Sequence, residues 1–161
     1  MSQPPFEQVV REHGSVVLRV CQAVAGPMDA EDAWSETFLA ALAAYPDLRP
    51  DSNIRGWLVT IAHHKAVDRL RSRARAPIPV DPVPEGPAPG TEPVDPDPAL
   101  WAALATLPLG QRAAVAYHYL ADLPYAQVAR LLGTSEAAAR RRAADARASL
   151  RAALDRKELW G

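Results

Sequence analysis

The sequence predicts an all-α protein made of two small helical domains joined by a proline-rich acidic linker. Apolar residues recur at helical spacing over most of the 161 residues, and no segment has the alternation typical of a strand. Residues 77–98 interrupt this periodicity with nine prolines, five acidic residues and no basic residue. Such a segment is extended and cannot pack a core. We therefore expect domains at residues 1–76 and 99–161, with a flexible linker at residues 77–98.

The first two helices are predicted from apolar spacing and from residues that begin or end helices. Apolar residues from Phe6 to Val24 predict an amphipathic helix of roughly five turns, which a Gly-Pro pair ends. Asp29 is expected to cap the second helix, and Pro46 is expected to stop it. The residues expected to be buried on the second helix are Trp34, Phe38, Leu42 and Tyr45.

The third helix is predicted to start after Asp51 or Ser52, since either residue can cap it, and to become strongly basic towards Arg75. Trp57 offers an aromatic face on which a base can stack. Its helical spacing with Ile54 and Ile61 nevertheless favours a core position.

The second domain is predicted to contain helices at about residues 99–106 and 111–120, followed by a helix-turn-helix in residues 123–150. Pro124 suits a helix start, Gly133 allows the turn, and Ser135 is a good N-cap for the next helix. A short helix, a glycine turn and a capped basic helix form the arrangement that places a helix in the DNA major groove. The sequence therefore indicates DNA as a partner.

The distribution of charge agrees with a DNA-binding protein, although the net charge is only −1. Residues 49–75 hold seven basic residues against two acidic ones, and residues 123–161 hold eight against four. A lone Cys21 excludes a disulfide framework, and the chain has neither a signal-peptide pattern nor a stretch apolar enough to cross a membrane. We therefore expect a cytoplasmic protein without membrane insertion.

An enzyme or metalloprotein is not expected from the histidines, because they fall on separate predicted helices without metal-ligand spacing. They are His13, His63, His64 and His118. The sequence has no visible combination of nucleophile, base and oxyanion donor. We expect no catalytic residues, no cofactor, no bound metal and no small-molecule substrate.

Three segments together resemble a known family. Residues 29–45, 52–75 and 104–150 resemble, in order, the bacterial RNA polymerase sigma factors of the extracytoplasmic-function class, which keep only regions 2 and 4. The resemblance implies a non-catalytic subunit that binds core RNA polymerase, gives it promoter specificity and takes part in transcription initiation. It also implies promoter DNA and an anti-sigma factor as partners.

The resemblance assigns polymerase docking to the acidic second helix. Carboxylates beside apolar residues suit a basic, amphipathic partner helix. The alternative is that these acids only complement the helix dipole. The residues implied in polymerase binding are Asp29, Glu31, Asp32, Glu36 and Phe38.

The resemblance also assigns two sets of DNA-binding residues. A base flipped from the duplex needs polar groups and a stacking surface, and the backbone needs cations. For the −10 element the implied residues are Arg49, Ser52, Asn53, Arg55, His64, Lys65, Arg69, Arg71 and Arg73. For the −35 element they are Ser135, Glu136, Ala138, Arg140, Arg141, Arg142 and Arg147. Three consecutive arginines point in different directions on a helix, so at most two of Arg140–Arg142 are expected to contact DNA.

Some positions depart from the family pattern. His63 and His64 stand where the family often has arginine and asparagine, which implies a different −10 preference. Ala139 and Ala143 stand where larger aliphatic residues are usual, and Ala144 and Asp145 replace a basic or polar pair. We expect weaker packing or weaker DNA binding from these exchanges. They keep a second reading open: a sigma-like helix-turn-helix DNA-binding regulator that does not support initiation.

Overall fold

The computed structural model describes residues 3–75 and 98–160, with side chains up to residue 156. The predicted linker lies outside the described residues, except for Pro98. Within the described ranges the chain is helical and has no strand. Three helices form the N-terminal module: α1 (Phe6–Ala25), α2 (Ala30–Ala44) and α3 (Ile54–Arg75), with a 3-10 turn at Tyr45–Asp47 after α2. Four helices form the C-terminal module: α4 (Pro98–Ala105), α5 (Leu109–Val115), α6 (Tyr125–Leu132) and α7 (Glu136–Trp160), with a π-helical turn at Ala116–Leu120 after α5.

The ends of the helices follow the sequence signals in part. Gly133 adopts the left-handed conformation (φ 64°) after α6, and the Ser135 hydroxyl accepts a hydrogen bond from the backbone N–H of Ala138 at 3.1 Å, as expected of an N-cap. The cap of α3 is Asn53 instead of Asp51 or Ser52, because its Oδ1 accepts the N–H of Gly56 at 3.2 Å. Asp29 precedes α2 but makes no side-chain cap, since its carboxylate binds an arginine of α3.

The N-terminal module packs its three helices around a core that is rich in aromatic residues. Phe38 contacts Trp34 and Phe6 at ring-centroid distances of 4.7 Å and 6.3 Å, and Trp57 packs half-buried beside Tyr45 at 6.3 Å. The core position expected for Trp57 is therefore confirmed in part, because it packs against the core but remains half-buried. The expected burial of Leu42 is wrong: 53% of this side chain is exposed.

The face of α2 explains the error at Leu42. The helix turns its small residues Ala33, Thr37 and Ala41 towards α1 and α3, and all three are fully buried. Leu42 lies about 100° around the helix from Ala41 and one turn beyond Phe38, and more than half of its side chain is uncovered there. Small side chains permit the close approach of α1 and α3, and the larger leucine remains outside.

A second hydrophobic cluster runs across both modules. It joins Val20, Val24 and Val59 of the N-terminal module to Tyr117 and Val128 of the C-terminal module. The alanines of α7 that depart from the family pattern, Ala139 and Ala143, are fully buried in this cluster together with Ala146. The two modules therefore share a continuous apolar core in the free chain, which the sequence does not predict.

Candidate polymerase-docking and DNA-binding surfaces

The acidic residues of α2 are paired with the basic end of α3. The Asp29 carboxylate accepts hydrogen bonds from Nε of Arg73 and, at 3.2 Å, from Nη2 of the same guanidinium. Arg69 reaches both Asp32 (3.2 Å) and Glu36 (2.9 Å). The hydrogen bond from Arg69 to Glu36 raises the pKa of that guanidinium from its ordinary value. The structure thus joins residues that the sequence assigned to two different partners, polymerase and DNA.

The expected docking residues differ in their access to solvent. Asp29 and Phe38 are each 6% exposed, so both lie beneath the surface of α2. Asp32 is exposed, whereas Glu31 and Glu36 are half-buried. The exposed apolar side chains on this helix are Leu39 (67% exposed) and the Leu42 described above. Sequence reasoning missed both leucines as surface residues, because apolar spacing alone does not tell which side of a short helix is covered.

Leu39 borders an open groove between α2 and α3, here called the α2 groove, with a volume of about 790 Å³. Its lining combines apolar and charged side chains: Glu36, Leu39, Ala40, Lys65, Asp68, Arg69 and Ser72. An exposed apolar residue surrounded by charges of both signs suits a helix with the complementary pattern. Lys65 and Arg69, expected to bind the −10 element, therefore lie in the α2 groove.

The other residues expected at the −10 element lie at different places on α3. Ser52, Asn53 and Arg55 line a pocket of about 440 Å³ at the start of α3, next to Asp122 and Leu123 of the C-terminal module. Farther along the helix, His64 and Arg71 are exposed, and Arg49 is exposed in the preceding loop. The loop before α3 is therefore partly covered by the C-terminal module in this arrangement.

Polar contacts across the shared core hold the two modules together. His63 Nδ1 and the hydroxyl of Tyr117, which is fully buried, form a hydrogen bond of 2.5 Å. Arg112 donates from Nη2 to the carbonyl of Val24 at 2.8 Å, at the C-terminal end of α1. A cation at this position is favoured by the helix dipole of α1. His63 therefore lies half-buried at the contact between the two modules.

These contacts are expected to make the packed arrangement of the two modules, here called the closed arrangement, sensitive to pH. Burial, and to a lesser extent His64, lowers the pKa of His63 below its ordinary value. Because the opened or unfolded chain binds a proton more readily, stability should be full above about pH 6.5 and fall as the pH drops through the lowered value. Thermal melts between pH 8 and pH 5 measure this slope. Replacing His63→Gln, which keeps a hydrogen-bonding group, is expected to reduce it.

His13 gives the expected residual slope in that variant, because burial and the nearby Arg55 also lower the pKa of His13. A slope in His63→Gln as steep as in the parent chain would contradict the assignment to His63. The thiol of Cys21 does not interfere, since burial raises its pKa to about 12, outside the range of the melts.

The helix-turn-helix exposes a basic face on α7. Ser135, Glu136, Arg140, Arg141 and Arg147 are exposed, and Ala138 is half-buried. Arg142 is half-buried and lies against Gly110, where an added Cβ would meet its Cδ at 3.5 Å. Arg142 therefore points towards α5, while the side chains of Arg140 and Arg141 are exposed to solvent.

Two further observations concern metal binding and membrane insertion. Among the residues that the structure describes, no three histidine, cysteine or acidic side chains are grouped so that they could hold a metal ion. In the same part of the chain, no helix is both long and apolar enough to span a bilayer.

A helical module with an acidic face on α2, packed against a helix-turn-helix module with a basic face, defines a two-module DNA-binding protein. The family models agree: the model for Sigma-70 region 2 matches residues 9–76, and that for Sigma-70, region 4 matches residues 98–150. The ECF RNA polymerase sigma factor SigM of Mycobacterium tuberculosis is 33% identical over 90% of this chain and 74% of its own length. SigE of Mycolicibacterium smegmatis is 31% identical over 93% of this chain and 62% of its own. The chain belongs to the ECF family of RNA polymerase sigma factors, and it is an alternative sigma factor that directs transcription initiation.

The solved structures give the same fold. CnrH, determined with the cytosolic domain of CnrY, superposes with a TM-score of 0.64 at 26% identity, over 93% of this chain and 87% of that one. The sigma factor RpoE of Bartonella quintana, determined with the anti-sigma factor NepR, has a TM-score of 0.71 at 22% identity, over 92% and 98%. The second likeness concerns the fold alone. Both superpositions extend over the N-terminal and the C-terminal module.

Proposed function

We propose that this sigma factor binds core polymerase through the α2 groove, reads the −10 element with the start of α3 and reads the −35 element with α7. The observation that carries the proposal is the exposed apolar face of α2, with charges of both signs beside it, in a chain whose other module is a helix-turn-helix. Residues 1–76 would then form the docking and −10 domain, and residues 99–161 the −35 domain. The protein would act in the cytoplasm and carry out no chemistry of its own.

The closed arrangement supports a role in regulation. The loop before α3 lies next to Leu123 and Asp122, so an incoming −10 strand needs the two modules to separate. RpoE was determined with an anti-sigma factor and CnrH with a domain of CnrY. We propose that an anti-sigma factor binds this chain as well and favours a closed form over the one that polymerase requires.

The docking assignment can be tested with neutral substitutions. Because Asp32 and Glu36 bind Arg69, reversing their charge to lysine would place cations against Arg69 and disturb the fold as well as the surface. The double variant Asp32→Asn with Glu36→Gln avoids this, since exposed ion pairs contribute only about 0–1 kcal/mol. We expect a loss of affinity for core polymerase of about tenfold or more, measured by fluorescence anisotropy of labelled chain.

The matched control is Arg69→Gln, which breaks the same ion pairs and leaves both carboxylates in place. We expect it to lose much less affinity than the acid variant, because both carboxylates remain available to a basic partner. Equal losses in both variants would mean that the ion pairs, and not the carboxylates, matter for binding. Unchanged affinity in the acid variant would remove both acids from the docking surface.

The second hypothesis, a DNA-binding regulator that does not support initiation, differs in its expected affinity for core polymerase. Such a protein would bind promoter-sized duplex DNA in the absence of core polymerase and would show no measurable affinity for the core enzyme. The exposed Leu39 and Leu42 favour the sigma factor, because a regulator that only binds DNA has no use for an apolar docking face on the other module.

A further inference from the structure

A cluster of aromatic side chains lies between the turn after α5 and the start of α6. The rings of His118 and Tyr125 stack at 3.8 Å with an interplanar angle of 14°, and Tyr119 meets His118 edge-on at 4.7 Å. His118 is held in place because its Nδ1–H donates to the carbonyl of Leu123 at 2.9 Å. Burial, and a hydrogen bond to Tyr119, raise the pKa of Tyr125 from its ordinary value. We call His118, Tyr119 and Tyr125 the aromatic platform.

Two arginines of α7 lie over the aromatic platform. The Arg140 guanidinium is 4.7 Å from the centroid of the Tyr125 ring, and that of Arg147 is 5.3 Å from the Tyr119 ring. The two arginines are seven residues apart and therefore share one face of α7, about 10 Å apart along its axis. Arg142 lies on the other side of the helix, against Gly110.

Tyr125 packs half-buried against the shared core, whereas most of that core forms without the aromatic platform. Beneath it the shared core already contains Tyr117, Leu123 and Val128, all at most 2% exposed, while 48% of Tyr119 is exposed. A half-exposed ring beneath a cation can instead hold the guanidinium in position for a ligand. A guanidinium stacked on a ring keeps the N–H donors at its edge free. Holding the guanidinium in place before binding also reduces the conformational entropy lost on contact.

We propose that Tyr119 and Tyr125 are positioning residues that hold Arg147 and Arg140 for contact with DNA backbone phosphates, and that Arg142 makes no such contact. The inference rests on the proposed role of α7 in binding duplex DNA. The resemblance implied Arg140, Arg142 and Arg147 alike in binding the −35 element, and the proposal keeps Arg140 and Arg147 but removes Arg142. The stacked guanidiniums and the phenol hydroxyls together form a cationic, donor-rich strip along α7, and its chemical complement is a row of phosphates.

Glu136 pairs with one arginine of this strip. Its Oε1 accepts a hydrogen bond from Nη2 of Arg140 at 3.0 Å, so it competes with a phosphate for the same guanidinium. Removal of that carboxylate charge is expected to strengthen backbone contact, while the tyrosine ring still fixes the position of the arginine.

The experiment measures binding of the full-length chain to a fluorescent 30-base-pair duplex of mixed sequence, over a series of salt concentrations. Arg140→Gln and Arg147→Gln are each expected to weaken binding about threefold to tenfold and to lower the slope of log affinity against log salt by about 0.9, the value for one phosphate contact. Arg142→Gln should leave both quantities unchanged. Glu136→Gln should raise the affinity.

Positioning is tested by a double-mutant cycle. Tyr125→Leu should weaken binding about as much as Arg140→Gln, whereas Tyr125→Phe, which keeps the ring, should retain most of the affinity. The double variant Tyr125→Leu with Arg140→Gln should be no weaker than Arg140→Gln alone, because the ring acts through the guanidinium. Circular-dichroism melts verify that the variants are folded.

Additive losses in the cycle, an unchanged salt slope in Arg140→Gln and Arg147→Gln, or a loss in Arg142→Gln equal to theirs would each overturn the proposal. Its failure is separable from failure of the proposed function. If these substitutions leave duplex binding unchanged while the chain still directs initiation, only the positioning role falls. If the pattern appears in a chain that does not bind core polymerase, the positioning role stands and the docking proposal falls.

Discussion

Replacing Leu39 and Leu42 together by aspartate is expected to abolish productive binding to core polymerase. Both side chains are more than half exposed, so the change leaves the hydrophobic clusters intact. Burial of one leucine side chain on binding contributes about 1.5–3 kcal/mol, so loss of two predicts an affinity lower by about a hundredfold or more. Titration of labelled chain with core polymerase measures the loss, and transcription from a promoter template should fall with it.

The matched control is Leu109→Asp. Leu109 is also exposed (38%), but it lies at the first residue of α5 in the C-terminal module, where a carboxylate is compatible with the helix N-terminus. It adds the same kind of charge in place of the same kind of side chain, and affinity for core polymerase should remain close to that of the parent chain. A double variant of α2 that binds core polymerase as tightly as the parent would remove this face from the interface.

Replacing Gly56→Leu is expected to separate the two modules. Gly56 is buried in the first turn of α3, and a Cβ built there would lie 2.3 Å from Nε2 of Gln127 on α6. An alanine would only displace the flexible amide, whereas a leucine needs the space that α6 occupies. Leucine is also more favourable than glycine within a helix, so α3 itself should be stabilised. The strain therefore falls on the contact between modules.

Small-angle X-ray scattering measures the separation. A compact chain of this length has a radius of gyration of about 15 Å, and opening should raise it clearly above the value of the parent chain. The variant should also bind single-stranded −10 DNA more tightly, because the loop before α3 becomes accessible. The control adds Gln127→Ala to Gly56→Leu, which frees space for the leucine and should restore the compact form. An unchanged radius in Gly56→Leu alone would show that neighbouring side chains make room for the leucine, and would contradict the expected separation of the modules.

Local signals in the sequence were sufficient for the helices and for the turn of the helix-turn-helix. Gly133 and Ser135 act as expected because a left-handed turn and an N-cap depend on neighbouring backbone groups. The cap of α3 was misplaced by one or two residues, since Asp51, Ser52 and Asn53 are all competent caps and the sequence does not rank them. Choosing among them requires the geometry of the loop.

Long-range pairing was not predictable from the sequence. Asp29 is a plausible cap when its own helix is considered alone, yet its carboxylate binds Arg73, a residue 44 positions later. Likewise, nothing in the sequence of α3 indicates that His63 forms a hydrogen bond with Tyr117 of the other module. Periodicity identifies residues that share a face, but it carries no information about which helix from elsewhere in the chain will cover that face.

The sequence accordingly predicted the helices that form the candidate surfaces better than the individual residues that are exposed on them. The acidic helix and the basic helices are the surfaces that the structure presents, while Phe38 lies in the core and Leu39 lies outside it. The platform under Arg140 was missed because Tyr119 and Tyr125 are separated by a turn that brings them together only in the fold.

Transcription by purified core polymerase, with and without this chain, tests the central claim most directly when the 5′ ends of the transcripts are mapped. We expect new start sites that appear only with the chain and share sequence elements near −10 and −35. The Leu39→Asp, Leu42→Asp variant should remove them. Identical start sites with and without the chain, in the presence of duplex DNA binding, would contradict initiation by this protein and favour a regulator that only binds DNA.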